Sequence, residues 1–294
     1  MTALPWHQPL VDTVRARLAA GALPHALLLA GPEGWGELAL ANWLALELLG
    51  IDGPRDVSTV AHPDLRWIAP EGAVIKVDAV RDLVAFAHGT PQSGPRKVAV
   101  VADAHFLNVN AANALLKTLE EPPPGTHVVL YSCHPGRLLP TIRSRCQTLV
   151  IRPDPALARR WLEAHAPAED LERRMLEHGG APVAVMAALE RGEQPLDELI
   201  ERVFAAGASR QVVQSLLESG LAGTLARWHR YVLALAAGEW QPRRLADVSR
   251  RSLMEFADEL IWARRQLVTS NSANERLLAE RLIARWHHLE RASS

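Results

Sequence analysis

Apolar residues fall into two rhythms along this chain. Short unbroken runs at 26–30 (ALLLA), 98–101 (VAVV), 128–131 (VVLY) and 148–151 (TLVI) read as strands buried on both faces, the signature of a parallel sheet. Between them the spacing turns helical. Leu10, Val14 and Leu18 share one face of 6–18, and a helix over 38–49 ends at Gly50. Ala111, Ala114, Leu115 and Leu119 mark another helix, stopped by Pro122-Pro123-Pro124, and a short one spans 138–142. Residues 74–86 begin extended and become helical over 75–83, and Gly94-Pro95-Arg96 turns the chain into the strand at 98. This alternation predicts an open α/β sheet whose working groups sit in loops at the strand ends.

From Asp154 the pattern is helical alone. It predicts helices over 161–174 and 175–189, the second interrupted by Gly179-Gly180-Ala181-Pro182, then a break at 192–195 and a helix over 196–206. Gly207 is the expected linker. Leu216, Leu217, Leu221, Trp228, Val232, Leu235, Leu253, Phe256, Leu260 and Leu267 then recur at helical spacing, with one break at Trp240-Gln241-Pro242. Three domains follow: an α/β module at 1–151, a small helical domain at 152–206 and an all-helical domain at 207–294.

Composition narrows the function. With 294 residues, 48% of them hydrophobic, the chain can bury several cores. A net charge of -1 gives no overall pull on nucleic acid, and the C-terminal arginines (Arg243, Arg244, Arg250, Arg251, Arg264, Arg265) alternate with acids as a solvated face does. Two cysteines, Cys133 and Cys146, give no disulfide framework and point to a reducing compartment. No signal-like start and no apolar run near ~20 residues are present, so a cytoplasmic protein without membrane contact is expected.

After the first strand comes Gly31-Pro32-Glu33-Gly34-Trp35-Gly36-Glu37-Leu38, the frame of a phosphate-binding loop between a strand and a helix. Both chemical positions are changed. Glu37 stands where a lysine reaches the β and γ phosphates, and Leu38 where a hydroxyl holds Mg²⁺. A carboxylate ~4 Å from a phosphate charge costs roughly 4 kcal/mol at an effective dielectric of ~20, where lysine gains as much. No lysine precedes Lys76 to compensate. As a helix N-terminal residue, Glu37 is expected to be an ionised carboxylate favoured by the dipole and by unpaired amides.

The segment 113–123 (NALLKTLEEPP), followed by Ser144-Arg145-Cys146, closely resembles the clamp-loader branch of the AAA+ family. Against that family the strand ending in Ala102-Asp103-Ala104-His105 departs again. Active relatives read Asp-Glu-Ala-His, so Ala102 removes a metal-holding carboxylate and Asp103 is one methylene short of reaching an attacking water. Ser132 or Cys133 falls at the polar sensor position, and Val183 and Ala184 stand where a phosphate-sensing arginine follows the glycine turn. Many relatives carry a four-cysteine zinc module before a His-Pro-Asp tripeptide. His62-Pro63-Asp64 is here, but 50–60 holds no cysteine, so the zinc module is absent and no bound metal is expected in the chain. Cys133 beside His134 reads as a small buried thiol next to a loop histidine, with a nucleophile or a metal ligand as the alternative. Val77, Asp78 and Arg81 resemble a family position and fit equally an N-capped helix with Asp78 capping.

Over the whole chain the resemblance is to the delta-prime subunits of the bacterial DNA polymerase III clamp loader. It is strongest over 97–152, good over 24–51 and weaker beyond, where Asn271 and Asn274 before a leucine-rich helix are similar to the collar. The resemblance implies a non-hydrolysing stator without a nucleotide or other cofactor. Its partners are ATPase (gamma/tau) and delta subunits, acting on a sliding clamp at primer–template DNA. It further implies that Arg145 serves as an arginine finger in a neighbour's ATP site, a role Arg143 can share. The alternatives are an active ATP-hydrolysing subunit of the gamma/tau type and a stand-alone nucleotide-loop kinase.

Overall fold

The computed structural model describes residues 3–53, 56–72, 74–167, 171–196, 198–199, 210–218, 220–239, 248–269 and 274–291. They form two compact units, 1–161 and 162–294. In the first, five parallel strands stand in the order β2-β3-β4-β1-β5: β1 (Ala26–Ala30), β2 (Leu65–Ile68), β3 (Lys97–Val101), β4 (Thr126–Ser132) and β5 (Gln147–Val150). β1 and β3 are buried along their whole length, as their uninterrupted apolar runs require. The helices are α1 (Gln8–Ala19), α2 (Glu37–Leu49), α3 (Val77–Ala87), α4 (Val109–Glu120), α5 (Pro140–Arg143) and α6 (Pro155–His165), which runs on across the division between the units.

Three differences from the hydrophobic pattern have physical causes. β2 was not legible as a strand, because Leu-Arg-Trp-Ile is four residues long, carries an exposed Arg66 and lies at the sheet edge. The helix expected over 161–174 is two: α6 stops at His165 and α7 (Leu171–Glu177) begins beyond Pro167, whose ring removes an amide donor. Asp78 does not cap α3. It lies inside the first turn and meets Arg81 at 3.0 Å, both exposed, while Lys76 holds the cap position without a side-chain capping bond.

The second unit is helical: α7, α8 (Pro182–Glu190), α9 (Arg210–Glu218), α10 (Leu221–Ala237), α11 (Arg250–Thr269) and α12 (Glu275–Arg291). Its core gathers the leucine and tryptophan stripes around Trp228, Phe256 and Trp286, whose ring centroids lie 4.9 to 5.7 Å apart. Around them the exposed arginines pair along or between helices, Arg251 with Glu255 at 3.0 Å and Arg285 with Glu259 at 3.0 Å. The expected 196–206 helix lies largely outside the described residues, as do Gly207, Trp240-Gln241-Pro242, Arg243, Arg244 and Asn271.

One buried charge cluster ties this unit together. The Arg227 side chain on α10 is 6% exposed and that of Glu177 on α7 is 1% exposed. Arg227 Nε donates to Glu177 Oε2 at 3.2 Å, another of its nitrogens to Glu193, and a third bond reaches the Gln194 carbonyl at 2.8 Å. The other Glu177 oxygen accepts the Leu196 amide at 2.6 Å. Each donor and acceptor that burial removes from water is answered.

Candidate functional site

The loops after β1, β3 and β4 converge at the carboxyl ends of their strands, where parallel sheets place binding sites. The first is the phosphate-loop frame. Gly34 and Gly36 have φ of 81° and 90°, a left-handed backbone that glycine adopts freely. A Cβ on Gly31 would stand 2.8 Å from Ile151 Cβ and close that position, while at Gly36 the φ of 90° strains any side chain.

The loop is also fastened from the N-terminus. Trp6 Nε1 donates to the Trp35 carbonyl at 2.8 Å, and His7 Nε2 donates to the same oxygen at 2.9 Å. His7 Nδ1 accepts the Leu4 amide at 3.2 Å, so the ring is the neutral Nε2–H tautomer. Burial holds its pKa down at about 4 despite the carbonyl bond. Trp35 is buried, with its ring 5.8 Å from that of Trp6.

Glu37 is the first residue of α2 and is 8% exposed. Burial lifts its pKa from the ordinary 4.5 to about 7, with Glu33 and Asp103 adding to the rise. The amides of Gly36 and Glu37 pull the other way and lose. The helix N-terminus therefore does not hold this carboxyl in the ordinary carboxylate range, contrary to its sequence position, because burial outweighs the amides and leaves Oε1 without a hydrogen-bond partner. Leu38 is exposed beside it and offers no oxygen to a metal.

At the end of β3, Ala102 is sealed in the core, and its amide donates to Ile68 O at 2.8 Å. Asp103 then takes φ 44°, the one positive φ at a non-glycine among the described residues. Burial raises its pKa, partly offset by His105. A cleft of about 400 Å³ opens here, lined by Glu33, Glu37, Asp103, His105, Cys133 and His134 among others, with Arg137 at its side. Ser132, at the expected sensor position, is fully buried. Its Oγ accepts the His134 amide at 3.0 Å and meets His105 Nδ1 at 3.1 Å. Cys133 lines the cleft, and burial together with Glu33, Glu37 and Asp103 pushes its thiol up to about 11.

The Ser144-Arg145-Cys146 tripeptide follows α5. Cys146 is core, its thiol pushed by burial up to about 12, and Ser144 is exposed, donating to the Thr141 carbonyl at 3.2 Å. Arg145 ion-pairs with Glu120 at the end of α4, and its Nη1 donates to Thr141 O at 2.9 Å. Its side chain remains 31% exposed. Arg145 lines neither the cleft above nor a neighbouring groove of about 570 Å³. That groove includes Gly31, Val150, Arg152 and the exposed Arg143.

The fold thus brings Glu37, Leu38 and Asp103 to one cleft and sets the tripeptide apart. It also brings in His105 and Glu33, which motif reading passed over. Their signal was positional: β4 lies between β1 and β3, parallel to both, with Ala30 opposite Ser132 and Val101 opposite Leu130, so residues just past the three strand ends must meet.

Sequence comparison identifies the family. A family model described as "DNA polymerase III, delta subunit" matches residues 6–155. The DNA polymerase III subunit delta' of Pseudomonas aeruginosa is 34% identical, the match covering 97% of each chain. The DNA polymerase III subunit tau of Escherichia coli is 30% identical over 71% of this chain and 33% of its own. Among solved structures, a DNA polymerase III gamma subunit-related protein from Thermotoga maritima shares the fold, with TM-score 0.56 and 19% identity over 95% of this chain and 100% of that one.

Proposed function

The chain belongs to the family of DNA polymerase III delta-prime subunits, and from that premise we propose that it is a non-hydrolysing stator of a clamp-loader complex. In this role it supports ATP-dependent loading of a sliding clamp onto primed DNA. It does so beside gamma/tau-type ATPase and delta subunits. The observation that carries the reading is the cleft where phosphates would lie: Glu33, Glu37 and Asp103 line it against a single Arg137, and no lysine stands on the loop. Burial holds the Glu37 pKa up at about 7, which softens repulsion of a phosphate but supplies no attraction. Ala102 and Leu38 leave no ligand for a phosphate-bound metal at either position.

The likeness to tau favours one second reading, an active ATPase subunit. The same acidic cleft weighs against it. Arg145 is the group we assign to a neighbour's ATP. Glu120 and the Thr141 carbonyl hold its guanidinium in place while leaving part of it exposed, a geometry suited to presenting planar donors to phosphoryl oxygens. Arg143, exposed and nearby, is available to assist.

The test is reconstitution with the ATPase and delta subunits. Arg145→Ala is expected to leave assembly intact and to lower clamp- and DNA-stimulated ATP hydrolysis by about 10-fold, below the 10³ to 10⁵ of systems with a single finger because several sites contribute. Wild-type hydrolysis and clamp loading in the normally assembled variant would rule out the role in trans. Micromolar binding of ATP to the isolated chain would favour the ATPase reading instead.

A further inference from the structure

We propose that the cleft at the ends of β3 and β4 is a binding site for a divalent transition-metal ion of the zinc class, held by His105, Cys133 and His134. One ligand atom from each of these side chains lies within 4.8 Å of the other two. A tetrahedral ion with metal–nitrogen bonds of ~2.0–2.1 Å and a metal–sulfur bond of ~2.3 Å sets its ligands roughly 3.3–3.7 Å apart. Closing the set therefore takes shifts on the order of 1 Å. His134 is exposed and free to make them, and Cys133 and His105 are half-buried and accessible.

The surroundings are those of a ligand set. Ser132 Oγ sits 3.1 Å from His105 Nδ1, so Nδ1–H can donate there and leave Nε2 with its lone pair for the ion. The same oxygen accepts the His134 amide at 3.0 Å, which fixes the start of the loop bearing the third ligand. The imidazole rings of His105 and His134 are 5.1 Å apart and nearly perpendicular, at 80°. Glu33 and Asp103 line the cleft and favour a cation in it, outnumbering Arg137 on the same lining. Two imidazoles and a thiolate suit zinc over the oxygen-seeking magnesium or calcium.

This site is unlike the four-thiolate module, for which residues 50–60 supply no cysteine. It has three protein ligands and a fourth position open to water, so its ion exchanges with chelators and is not needed for folding. Binding displaces the Cys133 proton to solvent and forms the metal–sulfur bond. The ion would join the loop after β4 to the end of β3, bracing the corner where an ATPase would hold nucleotide.

Co²⁺ and Zn²⁺ titration of the full chain, stripped with chelator, tests the proposal. Co²⁺ should produce a thiolate-to-metal charge-transfer absorption, lost in Cys133→Ser; the other thiol, Cys146, is buried in the core. Zn²⁺ should bind at one equivalent, and Cys133→Ser or His105→Ala should weaken it by at least about 10–100-fold, the loss typical of changes one shell farther out. His134→Ala, at an exposed position, should weaken binding with circular dichroism unchanged, which keeps the test decisive if a buried variant misfolds. Absence of the thiolate band, or equal Zn²⁺ affinity in wild type and His134→Ala, overturns the site.

Discussion

Two corners of this molecule bury charged side chains, and they treat them in opposite ways. In the helical unit Arg227 and Glu177 are almost wholly removed from water, yet donors and acceptors on Glu193, Gln194 and Leu196 answer them. In the α/β unit Glu37 is buried with Oε1 unanswered and with Glu33 and Asp103 as neighbours. The first arrangement is what structure demands of a buried ion. The second is destabilising at neutral pH, and it sits in the frame of a phosphate loop. A fold maintains an unanswered carboxyl at that place only as a remnant of another chemistry or in the service of a new one.

The largest effect that would break this contrast lies in the satisfied cluster. Arg227→Ala strands Glu177 in the core and is expected to cost about 3–5 kcal/mol, read by chemical denaturation. A loss below ~1 kcal/mol would mean that the cluster is no better matched than the cleft.

Glu37→Gln probes the other side, with the opposite sign. The pKa of Glu37 is higher folded than unfolded, so its contribution to stability is full below pH ~4.5 and is lost as pH rises through about 7. The substitution should therefore stabilise the chain by ~1–3 kcal/mol at pH 8 and change little at pH 4.5. A destabilisation at pH 8 equal to that at pH 4.5 would show that the carboxyl does not titrate with folding.

The smallest effect concerns backbone. Asp103→Gly should stay within ~1 kcal/mol of wild type, since relief of the left-handed conformation offsets the freedom glycine gains in the unfolded chain. Asp103→Val should lose ~1–2 kcal/mol, because a β-branched residue resists φ 44°. Thermal melts of the pair check this, and equal midpoints would remove strain from the description of the cleft.

What could be read in advance divides along the same physical line. β1, β3 and β4 announced themselves because burial on both faces demands consecutive apolar residues, whereas the edge strands need no such run: β2 carries Arg66, and β5, expected from its apolar residues to be buried on both faces, buries only Leu149. The replaced residues Glu37, Leu38 and Ala102 were legible because loop chemistry fixes their spacing. The raised pKa of Glu37 was not, since it depends on Glu33 and Asp103 arriving through the fold. The meeting of His105 with Cys133 and His134 was hidden likewise, because it follows from the pairing of β3 with β4 and not from any local pattern. For Arg145 the tripeptide suggested an outward role, and only the structure revealed Glu120 as its holder.

The grip of Trp6 and His7 on the Trp35 carbonyl bears on descent. Losing a phosphate loop's lysine takes a single codon, and in principle so does regaining it. Here, however, the loop has become a wall of the N-terminal packing, with Leu4 and His7 pressed against Gly36 and Trp35 buried behind. Reinstating a lysine at 37 would return a charge to a loop whose backbone is already committed elsewhere. Several partners would have to change together before it could close on a phosphate again. On the proposed reading of a spent phosphate loop, the fastening acts as a ratchet that makes such a loss hard to reverse.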